Sequence, residues 1–168
     1  MPPSGRGPRN TPDTWRLLSR FSIHGDEHGG SDRMEFTWLS RWQPQLLAIL
    51  RIVAGLLFLE HGLSKFFGFP VPFPMHPLPP LLMAAGAIEL VGGFLITIGL
   101  FTRLAAFIAS GEMAVAYWMQ HVPSGGFWTL ANKGEGAVLY CFIFLYLTAA
   151  GAGAWGIDSA REKSASIR

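Results

Sequence analysis

Polar residues crowd the first 44 positions of the chain, and long apolar runs dominate the remainder. Residues 1–33 are rich in Gly, Pro, Arg and Asp (MPPSGRGPRN, HGDEHGGSDR) and offer too little apolar surface to order themselves. They predict a disordered tail, with a short helix over 13–21 as its one weak element. Residues 35–44, EFTWLSRWQP, set Trp38 and Trp42 beside Arg41, a mixture suited to an interfacial approach to a membrane. Four apolar runs then predict helices over 45–67, 81–101, 104–120 and 135–155. Each approaches the roughly 20 residues that cross a hydrocarbon core of about 30 Å. The first connection, GFPVPFPMHPLPP, is uncharged and proline-rich, hence stiff and extended. Thr102 and Arg103 form a tight turn into the third run, and HVPSGGFWTLANKG leads to the fourth. The fold class is therefore all-α: a four-helix transmembrane bundle with short loops. Residues 1–44 form a tail and interfacial segment, 45–155 the membrane domain, and 156–168 a second polar tail.

Composition sharpens this picture. Half of the 168 residues are hydrophobic and 14% are charged, against about a quarter charged in an ordinary soluble domain. The net charge is +2, but the basic residues form no patch interleaved with aromatics, which argues against nucleic acid as a partner. Their placement carries topology instead. Arg33 and Arg41 precede the first run, Arg103 lies between the second and third, and Arg161, Lys163 and Arg168 follow the fourth. The other two connections hold only Lys133, with Lys65 just inside a span end. Basic residues accumulate on the cytoplasmic side, so both termini and the short turn of this multi-pass chain are expected there. The first thirty residues contain no apolar signal-peptide core, so the first span would act as an uncleaved anchor. Whether Met1 or Met34 starts the chain is open. The lone Cys141 excludes an internal disulfide framework or a CxxC pair.

Candidate chemistry comes from charges inside the apolar runs. The first run holds Arg51, Glu60, His61 and Lys65, the second Glu89 and the third Glu112, while Asn132, Lys133 and Glu135 open the fourth. Ionisable groups within a membrane cost several kcal/mol each unless they pair or face a polar cavity. With alternating directions, all four spans bring polar groups to the outer half of the bundle. Glu89, for example, lies about eight residues, or roughly 12 Å, below the outer boundary. The candidate pocket residues are Glu60, His61, Lys65, Glu89, Glu112, Asn132 and Glu135. His61 and Lys65 share a helix face, whereas Glu60 points about 100° away. Plainer roles compete with a ligand site. The charges could be interhelical pairs that fix register, and Lys65 could snorkel outward. Asn132 and Glu135 suit the N-cap and N3 positions of a capping box, and Arg51 could pair with a carboxylate or snorkel inward. His61 and His121 are too isolated to argue for haem, and there is no CxxCH. No metal-ligand cluster, nucleophile elbow, phosphate loop or dinucleotide fingerprint is present, so no catalytic residue can be named.

The segments LRIVAGLLFLEHGLSKFFGF, GAIELVGGFLITIGLFTRLAA, GEMAVAYW, NKGEGAVLYCFIFLYL and GAGAWGIDS cover most of residues 46–159. Together they resemble the DoxX family of small four-helix bacterial membrane proteins. The resemblance implies an integral inner-membrane protein; some relatives are associated with quinone-linked or sulfur-linked redox complexes, and many have no assigned activity. Glu60, Lys65, Glu89, Glu112, Asn132 and Glu135 match polar positions of the family, which supplies no agreed role for them. One expectation is an accessory membrane subunit of an oxidoreductase assembly, with a quinone as ligand and a soluble or membrane redox protein as partner. Glu89 or Glu112 would accept protons, and His61 and Lys65 would hydrogen-bond the quinone carbonyls. Two alternatives are a small-molecule or proton carrier and a non-catalytic membrane scaffold. Whether the chain is an enzyme, and its oligomeric state, stay open at this point.

Overall fold

A computed structural model describes residues 37–166 of the chain; the expected tail over 1–33 and its short helix lie outside the described residues. The described part is all-helical. A single turn, α1 (Thr37–Ser40), precedes α2 (Gln43–Phe67), α3 (Pro80–Ile98) and α4 (Thr102–Ala116). α4 runs on through a π-helical segment, Tyr117–His121, into α5 (Val122–Gly125). The short α6 (Thr129–Asn132), the long α7 (Glu135–Ala150) and α8 (Ile157–Ala165) complete the order.

Helix boundaries follow local chemistry. Pro44 and Pro80 sit in the first turns of α2 and α3, where a missing N–H leaves no bond unmade. Gly68 ends α2 in a left-handed conformation, φ 68°, with its N–H on the Ser64 carbonyl. Gly99 ends α3 in the same way, φ 70°, a conformation that glycine adopts without a Cβ penalty. The chain turns over residues 99–101, so α3 stops three residues before the expected end at 101 and Thr102 already begins α4. α7 stops at Ala150 rather than at 155, because Gly151, Gly153 and Trp155 all take positive φ. Part of the expected second tail instead forms α8.

The capping box expected for Asn132 and Glu135 does not form. Lys133 turns left-handed, φ 56°, and makes Gly134 the N-cap of α7 without a side-chain bond. Asn132 instead closes the preceding loop: its Oδ1 accepts from the Gly134 N–H at 2.7 Å and its Nδ2 donates to the Gly126 carbonyl at 2.8 Å.

α2 packs mainly along α3, and α4 along α7, while α3 joins the two pairs. The buried positions of α2 (Ala48, Arg51, Ala54, Gly55, Phe58, Gly62, Lys65) recur every three or four residues, one stripe of a helix. Glycines let α3 approach that stripe. A Cβ built on Gly62 would lie 2.6 Å from the Leu90 nitrogen, and one on Gly93 would lie 2.7 Å from the Leu59 nitrogen. Small residues also line α4, where Ala105, Ala106 and Ala109 are buried, as close membrane-helix contact prefers. Phe58 and Phe144 meet edge-on at a centroid distance of 4.8 Å in the core.

Outward, the pattern inverts. Leu46, Val53 and Leu57 on α2, Val91 and Phe94 on α3, Leu104 and Phe107 on α4, and Leu139 and Phe142 on α7 are all exposed. A bulky apolar jacket of this kind would aggregate in water and suits lipid. Among the described residues, two helices, α2 and α3, are long and apolar enough to cross a membrane; α7 is apolar but shorter.

At one end of the molecule, three charged side chains tie helix termini together. Arg51, fully buried, donates to the carbonyls of Ile96 (2.6 Å), Thr97 (2.5 Å) and Ala152 (2.8 Å). It therefore satisfies orphan carbonyls at the end of α3 rather than pairing with a carboxylate. Asp158 accepts the N–H groups of Phe101 (3.0 Å) and Thr102 (2.8 Å) at the start of α4. Arg103 donates to the carbonyls of Thr148 and Ala149 at the end of α7. These signs are those the helix dipole favours at each terminus.

Candidate functional site

At the opposite end of the molecule, an open cavity of about 610 Å³ lies between the two helix pairs. Its walls come from the last turns of α2, the first half of α3, α4 with its π segment, and the first turns of α7. Phe73 and Met75 of the proline-rich connection also line it.

Lys65 and Glu89 meet on its wall. The Lys65 ammonium donates to both carboxylate oxygens of Glu89 at 2.5 Å, with both side chains buried. The contact is possible because Gly86, one turn before Glu89, leaves room for the Lys65 stem; a Cβ there would lie 3.2 Å from Lys65 Cδ. The ammonium also lies 5.5 Å from the centre of the Phe73 ring, within cation–π range.

Glu112 projects from α4 onto the same cavity, and its Oε2 is buried with no hydrogen-bond partner among the described residues. A buried polar atom without a partner is costly, so this carboxyl is the group best placed to bind something that enters. His61, Tyr140, Gln120, His121 and Lys133 supply further polar groups to the lining. The His61 and Tyr140 rings stand nearly perpendicular, 6.3 Å apart. His121 donates from Nδ1 to the Asn132 carbonyl at 3.1 Å, since a carbonyl can only accept; this leaves Nε2 as a potential acceptor. The π segment carrying His121 is pinned further by the Tyr117 hydroxyl, which donates to the Phe127 carbonyl. Such π segments occur often at functional sites.

The structure thus brings His61, Lys65, Glu89 and Glu112 to one cavity. It does not bring Glu60, Asn132 or Glu135 there: Glu60 and Glu135 are exposed, and Asn132 is spent on its loop. Sequence reasoning missed Phe73, Met75, Gln120 and Tyr140 as lining residues. Tyr140 lies four residues after Gly136, which also lines the cavity, so helical spacing could have found it. Nothing local marks Phe73 or Met75. Among the described residues, no three His, Cys, Asp or Glu side chains cluster so as to hold a metal ion.

Comparison with known proteins bears on this arrangement. The DoxX family model matches residues 46–122, a span that includes Lys65, Glu89 and Glu112. An uncharacterized protein of Haemophilus influenzae is 46% identical over 126 residues, covering 72% of this chain and 94% of its own length. An uncharacterized membrane protein of Mycobacterium tuberculosis is 28% identical, covering 73% of this chain and 85% of itself. A Bacillus subtilis protein named "Putative oxidoreductase CatD" is 39% identical over 64 residues, 36% of this chain and 48% of its own. No solved structure matches the chain. On the family match and the near-full-length relative, the chain belongs to the DoxX family, and its apolar helices are those of a membrane protein.

Proposed function

We propose that this is an integral inner-membrane protein whose cavity binds a quinone head group. It serves as an accessory membrane subunit of a quinone- or sulfur-linked oxidoreductase assembly. The observation that carries the reading is the partnerless, buried Glu112 carboxylate oxygen on the wall of a cavity that also holds a neutralised Lys65–Glu89 pair. A quinone ring needs an apolar slot, donors for its carbonyls and an acceptor for the protons of its reduced form. Ala85, Ile88 and Met113 offer the slot. His61, Lys133 and Tyr140 offer donors, and Glu112 the acceptor. With Lys65 held by Glu89, the role of proton acceptor falls to Glu112 rather than to Glu89.

In this reading α2, α3, α4 with its π segment, and α7 all span the bilayer as a four-helix bundle, with the cavity in its outer half. Both termini are cytoplasmic, residues 1–44 and 156–168 being tails around the membrane domain. The outward-facing bulky residues on all four helices support this, as does the concentration of Arg51, Arg103 and Arg161 toward the opposite end. The redox centres would belong to partner proteins, as a lone cysteine and scattered histidines give the chain little with which to hold one. The similarity to the B. subtilis protein agrees with a redox setting. The test is a quinone titration of the detergent-purified protein. Saturable binding to wild type, weakened about tenfold or more in a folded Glu112→Gln variant, is expected. Equal binding by both, or none by wild type, would overturn the reading.

A further inference from the structure

We infer that the cavity opens sideways between α3 and α4 into the hydrocarbon, and that Gly111 keeps this port wide enough to seat the alkyl or isoprenoid tail of its ligand. The inference rests on the head-group reading above and adds the route of entry and the class of ligand: an amphiphile arriving from the lipid, not a solute arriving from water.

Eleven lining residues are exposed. Met119 and Gln120 on the π segment, with His61, Met75, Lys133 and Gly136, stand around most of the rim. The other five, Leu81 and Ala84 on α3 and Ile108, Gly111 and Val115 on α4, form the stretch of rim between α3 and α4. On α4 they are spaced by three and four positions, so they share one face, and from Ile108 to Val115 that face runs roughly 10 Å along the axis. This stretch of the rim carries no polar side chain, and the polar His61, Gln120 and Lys133 lie elsewhere on it. An opening of this composition at membrane depth meets acyl chains, and water gains nothing there.

Gly111 has no packing reason to be glycine. A Cβ at this position would meet nothing within 4 Å, unlike Gly62 or Gly93, whose Cβ atoms would strike backbone. Its backbone is ordinary α-helix, so no positive φ demands it. Glycine inside a helix weakens it relative to alanine. The space beside Gly111 is therefore kept open at some expense, one residue before Glu112, the carboxyl that faces the head group. A tail leaving a ring held at Glu112 would pass over Gly111 and out between Ala84 and Ile108.

The test compares a tailless benzoquinone with the same head group bearing a decyl chain, on wild type, Gly111→Leu and Ala84→Leu, with thermal unfolding confirming the fold. The expected result is a loss of about tenfold or more in affinity for the decyl quinone in both variants, with tailless binding unchanged. Unchanged decyl binding would overturn the port while leaving the quinone site standing. An equal loss of both probes would also overturn it, as the substitution would then be acting on the head group. If wild type binds neither probe, the quinone reading fails. The port is then judged by native mass spectrometry of retained phospholipid: loss of lipid in Gly111→Leu supports a hydrocarbon port, and unchanged retention overturns it.

Discussion

Lys65 and Glu89 form a buried bidentate ion pair between α2 and α3. Removing one partner of such a pair leaves an uncompensated buried charge and costs about 3–5 kcal/mol. Lys65→Met alone is expected to lower the thermal midpoint in detergent steeply, and Lys65→Met with Glu89→Leu to recover most of the loss. A double variant no better than the single would mean the pair does not act as a unit. Glu112 behaves differently: Glu112→Gln should leave the midpoint nearly unchanged, since it breaks no hydrogen bond described in the protein. This division between the two glutamates was not legible in the sequence. Glu89 and Glu112 look alike there, each a lone acid in an apolar run beside small residues. Only the register between helices puts Lys65 within reach of one and not the other.

At the scale of elements, glycines decide where helices touch and where they end. Gly93→Val would drive a Cβ into the backbone of α2, and loss of folded protein on expression is expected, whereas Gly111→Ala should be neutral or slightly stabilising. Melting curves of the two variants, side by side, check the distinction. The termini far from the cavity make a pH prediction. Burial pushes the Asp158 carboxyl up, but hydrogen bonds from Thr102 and the Phe101 N–H, with the charge of Arg161, outweigh it and hold the group below its ordinary value. Asp158 thus binds fewer protons folded than unfolded. Its contribution is present above its unfolded pKa of about 4 and lost as pH falls through the lower folded value. The wild-type midpoint should fall on acidification below about pH 4, and Asp158→Asn should flatten that fall; an equal slope in both would mean that Asp158 contributes nothing to it. The apolar runs made α2, α3 and α7 legible in outline. Their ends were less so, because Gly99, Phe101 and Gly151 act through backbone conformation that hydropathy does not register. α8 was missed because its few apolar residues resemble a tail, and its Asp158 has a partner only once α4 is in place.

At the scale of the whole molecule, the claims concern orientation and the cavity. If the basic end is cytoplasmic, single cysteines placed at Ser124 and Ser166 in a Cys141→Ser background should differ in labelling by a membrane-impermeant maleimide on intact cells. Ser124 should react from outside and Ser166 only after lysis; the reverse would invert the topology. The convergence of polar groups at one end could be reasoned from alternating helix directions, and His61, Lys65, Glu89 and Glu112 do line one cavity. Glu60 and Glu135 share their depth but not their facing, since a one-residue step turns a side chain by about 100°. The contribution of Phe73 and Met75 depends on how a proline-rich connection folds back, which no periodicity encodes.

The most direct measurement of the central claim is photo-crosslinking with an azido-quinone in native membranes, followed by peptide mapping. Label is expected on α3 between Leu81 and Glu89 and on α4 and its π segment between Ile108 and His121, competed by unlabelled quinone and lost in Glu112→Gln. Label confined to the outward jacket, or unaffected by competition, would contradict a quinone site in the cavity.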